Sequence, residues 1–391
     1  MIEWRKMNKD VMKEYINMNL KYYDIDMKNF SLPVIAKYDS DYYPSLKKGL
    51  NEYNNYIQSL TGFPTELKDN VERNINLIVK SVELYYNAKF GDAEDCILKI
   101  VGNCVGNNFI ISDLKDSYVF KNYKRKMDGI PLNFEDEIMP IGLYRSRVSV
   151  EELHRKDMLH IPLEKRGLVS TQRFSMAGIP CIYLATSTYC CWLELNMPQR
   201  HLLYSSSIKL PDDTKVFNLA LSTSFIHRIS VCGSDEDFAF LKQMLEVFPL
   251  IYATSYNILE QDRKFRSEYI VSQMIMQCIN ELGIDAVAYL SKKISDETAY
   301  PHAINIAIPV GRDFKKENSY WLKSKEVYLS EPKSYGDFLE ELGYNISTDM
   351  LSSFDHSNYI DVLGNPVNFD TLKFSIFDKH LTQLEHKQFG E

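Results

Sequence analysis

The sequence lacks the patterns that mark several large functional classes. Its seven cysteines (Cys96, Cys104, Cys181, Cys190, Cys191, Cys232 and Cys278) are odd in number and include no Cys-x-x-Cys pair. That arrangement suggests neither a disulfide framework nor a zinc site, and the adjacent Cys190 and Cys191 read as packing thiols. No apolar run approaches the roughly 18 residues that a membrane span requires. Met1 is followed by Ile-Glu-Trp-Arg rather than a basic-then-apolar leader, so a cytoplasmic location without a membrane partner is expected. Gly-x-Ser-x-Gly, His-Glu-x-x-His and Gly-x-Gly-x-x-Gly are all absent. A serine-hydrolase elbow, a zincin and a Rossmann dinucleotide fold are therefore disfavoured. The eight histidines are scattered, and no catalytic metal is expected. Positive charge is also short, with 45 Lys and Arg against 53 Asp and Glu, net −8. A whole-surface nucleic-acid binder needs the opposite balance, whereas a small anion needs only a local basic groove.

What the chain does have is core-forming composition. Over 391 residues, 45% are hydrophobic and 25% charged, enough for two domains or for one large domain with a helical appendage. Residues 1–135 read as a mainly helical N-terminal domain. After the turn Gly62-Phe63-Pro64-Thr65, the residues Leu67, Val71, Ile75, Ile78, Val79, Val82 and Leu84 recur at three and four, which predicts one buried helical face. Gly91 is expected to close that helix and Asp92 to cap the next, with Ala93, Cys96, Ile97, Ile100 and Val101 inward. The default role for this domain is sensing or oligomerisation, a homodimer included. A basic run, Lys121 to Lys126, and an acidic one, Phe134 to Glu137, then lead into the second domain.

Residues 140–325 mix helix and strand signals, which argues for an α+β domain rather than a regular βαβ array. Alternation predicts strands over 203–208 and 215–219. Helices are predicted over 238–248, ended by Pro249, and over 267–282, ended by Gly283. A short apolar strand over 284–290 delivers Ser291 at its end. Residues 326–391 form a C-terminal extension with an acidic helix over 335–342 and a tail whose role the sequence does not reveal.

Within the second domain, residues 173–194 space one arginine, one tyrosine and one glutamate ten and eleven residues apart, across predicted loop, strand and helix. Arg173 precedes the small-residue turn Ala177-Gly178, Tyr183 lies in the apolar run Cys181 to Leu184, and Glu194 follows Thr186-Ser187-Thr188. An arginine fork holds phosphates or ribose, an aromatic face stacks on a planar base, and a carboxylate stabilises a sugar that turns cationic as its bond breaks. Upstream, Arg145 and Arg147 in Leu143-Tyr144-Arg145-Ser146-Arg147 share one face of a predicted strand, because i and i+2 point the same way.

This stretch resembles the RES domain, and the resemblance extends through six ordered pieces over about 140–312. They include Leu143 to Arg147, His160-Ile161-Pro162 to Arg166, Tyr269-Ile270-Val271-Ser272-Gln273, the run Gly283 to Ser291, and Asn305 to Ile308. It implies an ADP-ribosyltransferase-like domain with a mixed, split sheet, acting on NAD as substrate. Glu194, Arg173, Tyr183 and Ser291 would be catalytic. Arg145 or Arg147 would bind phosphate, Ser272 would compete with Ser291, and Arg166 would be structural. The implied activity is NAD cleavage by water or phosphate in a bacterial toxin silenced by a cognate antitoxin or by its own N-terminal region. Transfer of ADP-ribose to a protein or nucleic acid would use the same pocket. A HEPN-type ribonuclease is the minor alternative, from the Arg-x4-His spacing of Arg155 and His160.

Overall fold

The computed structural model describes residues 25–123, 138–140, 142–231, 235–260, 262–310, 326–343, 359–362 and 364–388. Cys232 and most of the basic and acidic runs flanking the expected linker lie outside these residues.

Among the described residues, the helices Tyr42–Ser59, Thr65–Tyr86 and Phe90–Asn103 make up the N-terminal layer. In the second, Leu67, Val71, Ile75, Ile78 and Val82 are all buried, each contributing about 2 kcal/mol by leaving water. The helix stops at Tyr86, not at Gly91. Ala88 adopts a left-handed φ of 59°, which no helix can continue through. Phe90 therefore starts the third helix, so Gly91 and Asp92 lie in its first turn. Gly283, at φ +72°, does end the Ile270–Glu281 helix as expected.

Pro249 does not end its helix either. Asp235–Ala253 runs through it. A proline inside a helix leaves the carbonyl four residues earlier without its donor. Here that carbonyl, Leu245, accepts the Tyr53 hydroxyl at 2.9 Å, and the next one, Glu246, accepts the Asn74 amide at 3.0 Å. The Tyr53 side chain of the N-terminal layer thus satisfies the carbonyl that would otherwise be orphaned.

Among the described residues the main sheet has ten strands. From one edge the order is His386–Gln388, Tyr328–Ser330, Leu203–Lys209, Leu143–Val148, Cys181–Ala185, Ile304–Pro309, Ala286–Leu290, Lys215–Leu219 and Ile111–Asp113, with Lys333–Ser334 also on Leu203–Lys209. All neighbours are antiparallel except Ala286–Leu290 on Lys215–Leu219. The protein is α+β. The sheet crosses both expected domain boundaries, since Ile111–Asp113 comes from the helical region and Tyr328–Ser330 from the extension. One continuous apolar core runs from Ile25 to Leu381, because the helices Asp235–Ala253 and Ile270–Glu281 bury their outer faces against the N-terminal layer.

The sheet also splits. Leu143–Val148 pairs along its length with Leu203–Lys209, and Cys181–Ala185 with Ile304–Pro309. Between those two pairs of strands the backbone pairing is reduced to a single residue pair, Tyr144 with Ala185. Beyond it the strands diverge, and the gap opens into a cleft.

Candidate active site

The cleft has a volume of about 830 Å³, within the roughly 300–1,000 Å³ usual for ligand sites. Arg145, Arg147, Arg173, Arg266, Lys292 and Lys293 line it, against two carboxylates, Glu194 and Glu268. A basic pocket in a chain of net charge −8 is an electrostatic sink for an anionic ligand.

Glu194 is the last residue of the helix Thr188–Glu194, which Ser187 caps by accepting from the Cys190 amide at 3.0 Å. Ser291 Oγ and Asn305 Nδ2 each donate to Glu194 Oε1 at 2.7 Å. Ser291 sits at the end of strand Ala286–Leu290 and Asn305 on the neighbouring strand Ile304–Pro309, so two elements fix one carboxylate oxygen. No described residue donates to Oε2, which leaves that oxygen for a ligand.

Arg173 also lines the cleft, but most of its fork is committed to the protein. It donates to the carbonyls of Thr254 (3.0 Å), Tyr256 (2.7 Å) and, more loosely, Glu268 (3.5 Å), and its guanidinium lies 5.0 Å from the Tyr269 ring centre. It therefore builds the wall as well as facing the ligand. Tyr183 presents its ring to the cleft and donates its hydroxyl to Ser175 Oγ at 3.0 Å. Burial holds that phenol well above its ordinary pKa, so it stays a neutral donor.

Arg145 and Arg147 lie where the strands part. Arg145 donates to the Tyr183 carbonyl (3.1 Å), across the split, and to the Leu159 carbonyl (3.2 Å), which Arg147 shares. Both Nε atoms are buried without an acceptor. Burial, then the Arg147 charge, pushes Arg145 down to about 10, and burial lowers Arg147 as well. Two crowded cations with idle donors are a site that an anion would complete.

One expected site residue falls outside the cleft. Ser272 is fully buried within the helix Ile270–Glu281, its Oγ has no partner, and it does not line the cleft; a mid-helix serine facing inward is a packing position. Arg166 is exposed and bonds the Leu163 carbonyl, a local role as expected. The ribonuclease spacing does not assemble a pair: Arg155 is salt-bridged to Glu331 at 3.1 Å, and His160 bonds the Ile161 carbonyl at 2.7 Å.

Sequence reasoning missed Lys292, Tyr289 and, as a ligand of Glu194, Asn305. Lys292 is buried, donates to Ser255 Oγ at 2.7 Å and lines the cleft. Burial, with Arg173 nearby, pushes its ammonium down to about 7, against the opposing pull of Asp296 and Glu194. Its place directly after Ser291 was the available signal. Among the described residues, no group of three or more His, Cys, Asp or Glu could hold a metal ion, and no helix is long and apolar enough to cross a membrane.

The fold and the cleft define an α+β protein built around a split sheet with a basic, carboxylate-bearing pocket. Comparison with known proteins finds a family match: residues 144–321 match the RES domain. It is 30% identical over 228 residues to "Putative toxin YopC" of Bacillus subtilis (strain 168), covering 53% of this chain and 49% of that protein. The chain thus spans about half the length of this curated relative. A looser likeness, 12% identity with a TM-score of 0.27, links 51% of this chain with 87% of a chain in the crystal structure of the M. tuberculosis MbcT-MbcA toxin-antitoxin complex.

Proposed function

We propose that this protein cleaves the nicotinamide–ribose bond of NAD and acts as a toxin restrained by a partner protein. The observation that carries this reading is the Glu194 carboxylate, fixed through one oxygen by Ser291 and Asn305 in a cleft with six basic side chains. NAD matches that polarity. Its diphosphate is anionic and suits the Arg145–Arg147 end, while its planar rings suit the faces of Tyr183 and Tyr289. As nicotinamide leaves, the ribose becomes oxocarbenium-like, and the free Glu194 oxygen can hold its hydroxyls and oppose its charge. Because Ser291 and Asn305 already fix the carboxylate, no reorganisation is needed as charge develops. Water or inorganic phosphate then completes the reaction at the anomeric carbon. The toxin assignment follows the naming of the relative. Antitoxin restraint is the natural counterpart of an activity that would deplete a cell's NAD.

Mass spectrometry of NAD incubated with the purified chain, with and without phosphate, tests this. Free ADP-ribose marks hydrolysis, its 1-phosphate marks phosphorolysis, and ADP-ribose retained on macromolecules marks transfer. Intact NAD under all conditions, together with no measurable NAD binding, would overturn the proposal. Overproduction is expected to lower cellular NAD and arrest growth.

A further inference from the structure

The C-terminal extension reaches the helix that carries Glu194. Its helix Lys373–Gln383 packs on Thr188–Glu194, and the contact is both polar and aromatic. Asp378, 5% exposed, accepts on one oxygen from the Thr188 amide (3.0 Å) and from the Thr188 hydroxyl (2.6 Å). Its own carbonyl accepts the Tyr144 hydroxyl at 3.2 Å, next to the single pair where the sheet splits. Phe374 lies 5.4 Å from Tyr189 and 5.6 Å from Trp192, and stacks on Tyr335 at 4.3 Å. The helix is only seven residues long. Alone it could not hold its shape in water, so outside contacts must set its position. At its far end stands Glu194.

We propose that Asp378 is a positioning residue: it clamps the first turn of the Thr188 helix and thereby sets where the Glu194 carboxylate stands in the cleft. Its role in activity rests on the reading of Glu194 given above, but the clamp itself does not. Burial pushes the Asp378 carboxyl up to about 8, so near neutral pH the acid form is favoured, and an asparagine reproduces its acceptor oxygen and lack of charge. The chain has three tryptophans, Trp4, Trp192 and Trp321, so a Trp4→Phe/Trp321→Phe background leaves Trp192 as a reporter on the clamped helix.

In that background, Asp378→Ala is expected to make Trp192 clearly more accessible to acrylamide. It should also lower kcat for NAD about tenfold, the size of a lost helix cap, with KM little changed. Asp378→Asn is expected to restore both. Thr188→Val, which removes only the hydroxyl bond, should shift both in the same direction by less, and it decides the matter if Asp378→Ala does not fold. Wild-type quenching in Asp378→Ala and Thr188→Val would overturn the clamp, as would an Asp378→Asn as loose as the alanine variant. Should the wild type neither cleave nor bind NAD, the NAD reading fails and the clamp is decided on Trp192 alone.

Discussion

Lys292 shows how a single cleft residue can tie the binding of an anion to pH. Its ammonium is held at about 7 instead of the usual 10.5, so it is charged below neutrality and neutral above. On the NAD reading, an anionic ligand anywhere in the cleft is attracted far more strongly by the charged form than by the neutral amine. Affinity for ADP-ribose is therefore expected to fall about tenfold between pH 6 and pH 8.5, the worth of one charge-assisted hydrogen bond. Lys292→Arg should flatten that dependence, and Lys292→Met should bind weakly throughout, as calorimetric titration would reveal. For stability the sign is opposite to that of a raised group. The depressed value means the neutral amine's advantage is present at high pH and lost as pH falls towards about 7. Glu194→Gln keeps the shape of the site while replacing the carboxylate proposed to oppose the oxocarbenium. NAD turnover is expected to drop by about 10²-fold or more, with unchanged circular dichroism; undiminished turnover would remove Glu194 from the chemistry.

Among the elements, the helix Asp235–Ala253 is the most instructive, because it survives a proline through contacts from another layer. The Leu245 carbonyl that Pro249 cannot serve is served by Tyr53. Tyr53→Phe leaves that carbonyl buried and unpaired, at an expected cost of about 1–2 kcal/mol. In a Pro249→Ala background the helix can supply its own N–H to Leu245, and the same substitution should cost much less. Urea unfolding of the four proteins measures this coupling; equal losses in both backgrounds would show that the hydroxyl does not answer the proline. A similar dependence supports the Arg173 wall. The strand Val34–Ala36 pairs with Tyr256–Ile258, whose first carbonyl accepts from Arg173, and Arg263 joins Asp39 of the N-terminal layer to Glu268.

Across the whole molecule, the segment that matches the RES domain is not closed on itself. Helices Asp235–Ala253 and Ile270–Glu281 lean on Thr65–Tyr86 and Phe90–Asn103, and the sheet takes strands from both flanks. A fragment of residues 140–325 would expose these faces, a contiguous apolar area that isolated domains do not tolerate. It is expected to be insoluble or to bind a hydrophobic dye, with far-UV but no near-UV circular dichroism. The full chain should unfold with coincident secondary and tertiary signals. A soluble, dye-silent fragment with native near-UV signal would instead show that residues 140–325 fold alone.

The sequence alone determined the local elements. Periodicity located the helices around Leu67, Ala93 and Tyr335, alternation located the strands at Leu203 and Lys215, and Gly283 marked a true stop. The resemblance to the RES domain, carried by ordered pieces of sequence, picked out Arg145, Arg147, Arg173, Tyr183, Glu194 and Ser291, all but the last of which line one cleft, with Ser291 bonded to Glu194. Only the tertiary structure decided what depends on distant partners. It placed Ser272 in the core and Lys292 in the cleft, carried a helix through Pro249 by means of Tyr53, and joined Asp378 to Thr188. The reason is that periodicity reports which face of an element is buried, whereas a hydrogen bond or a shifted pKa is set by groups that the fold brings together from far along the chain.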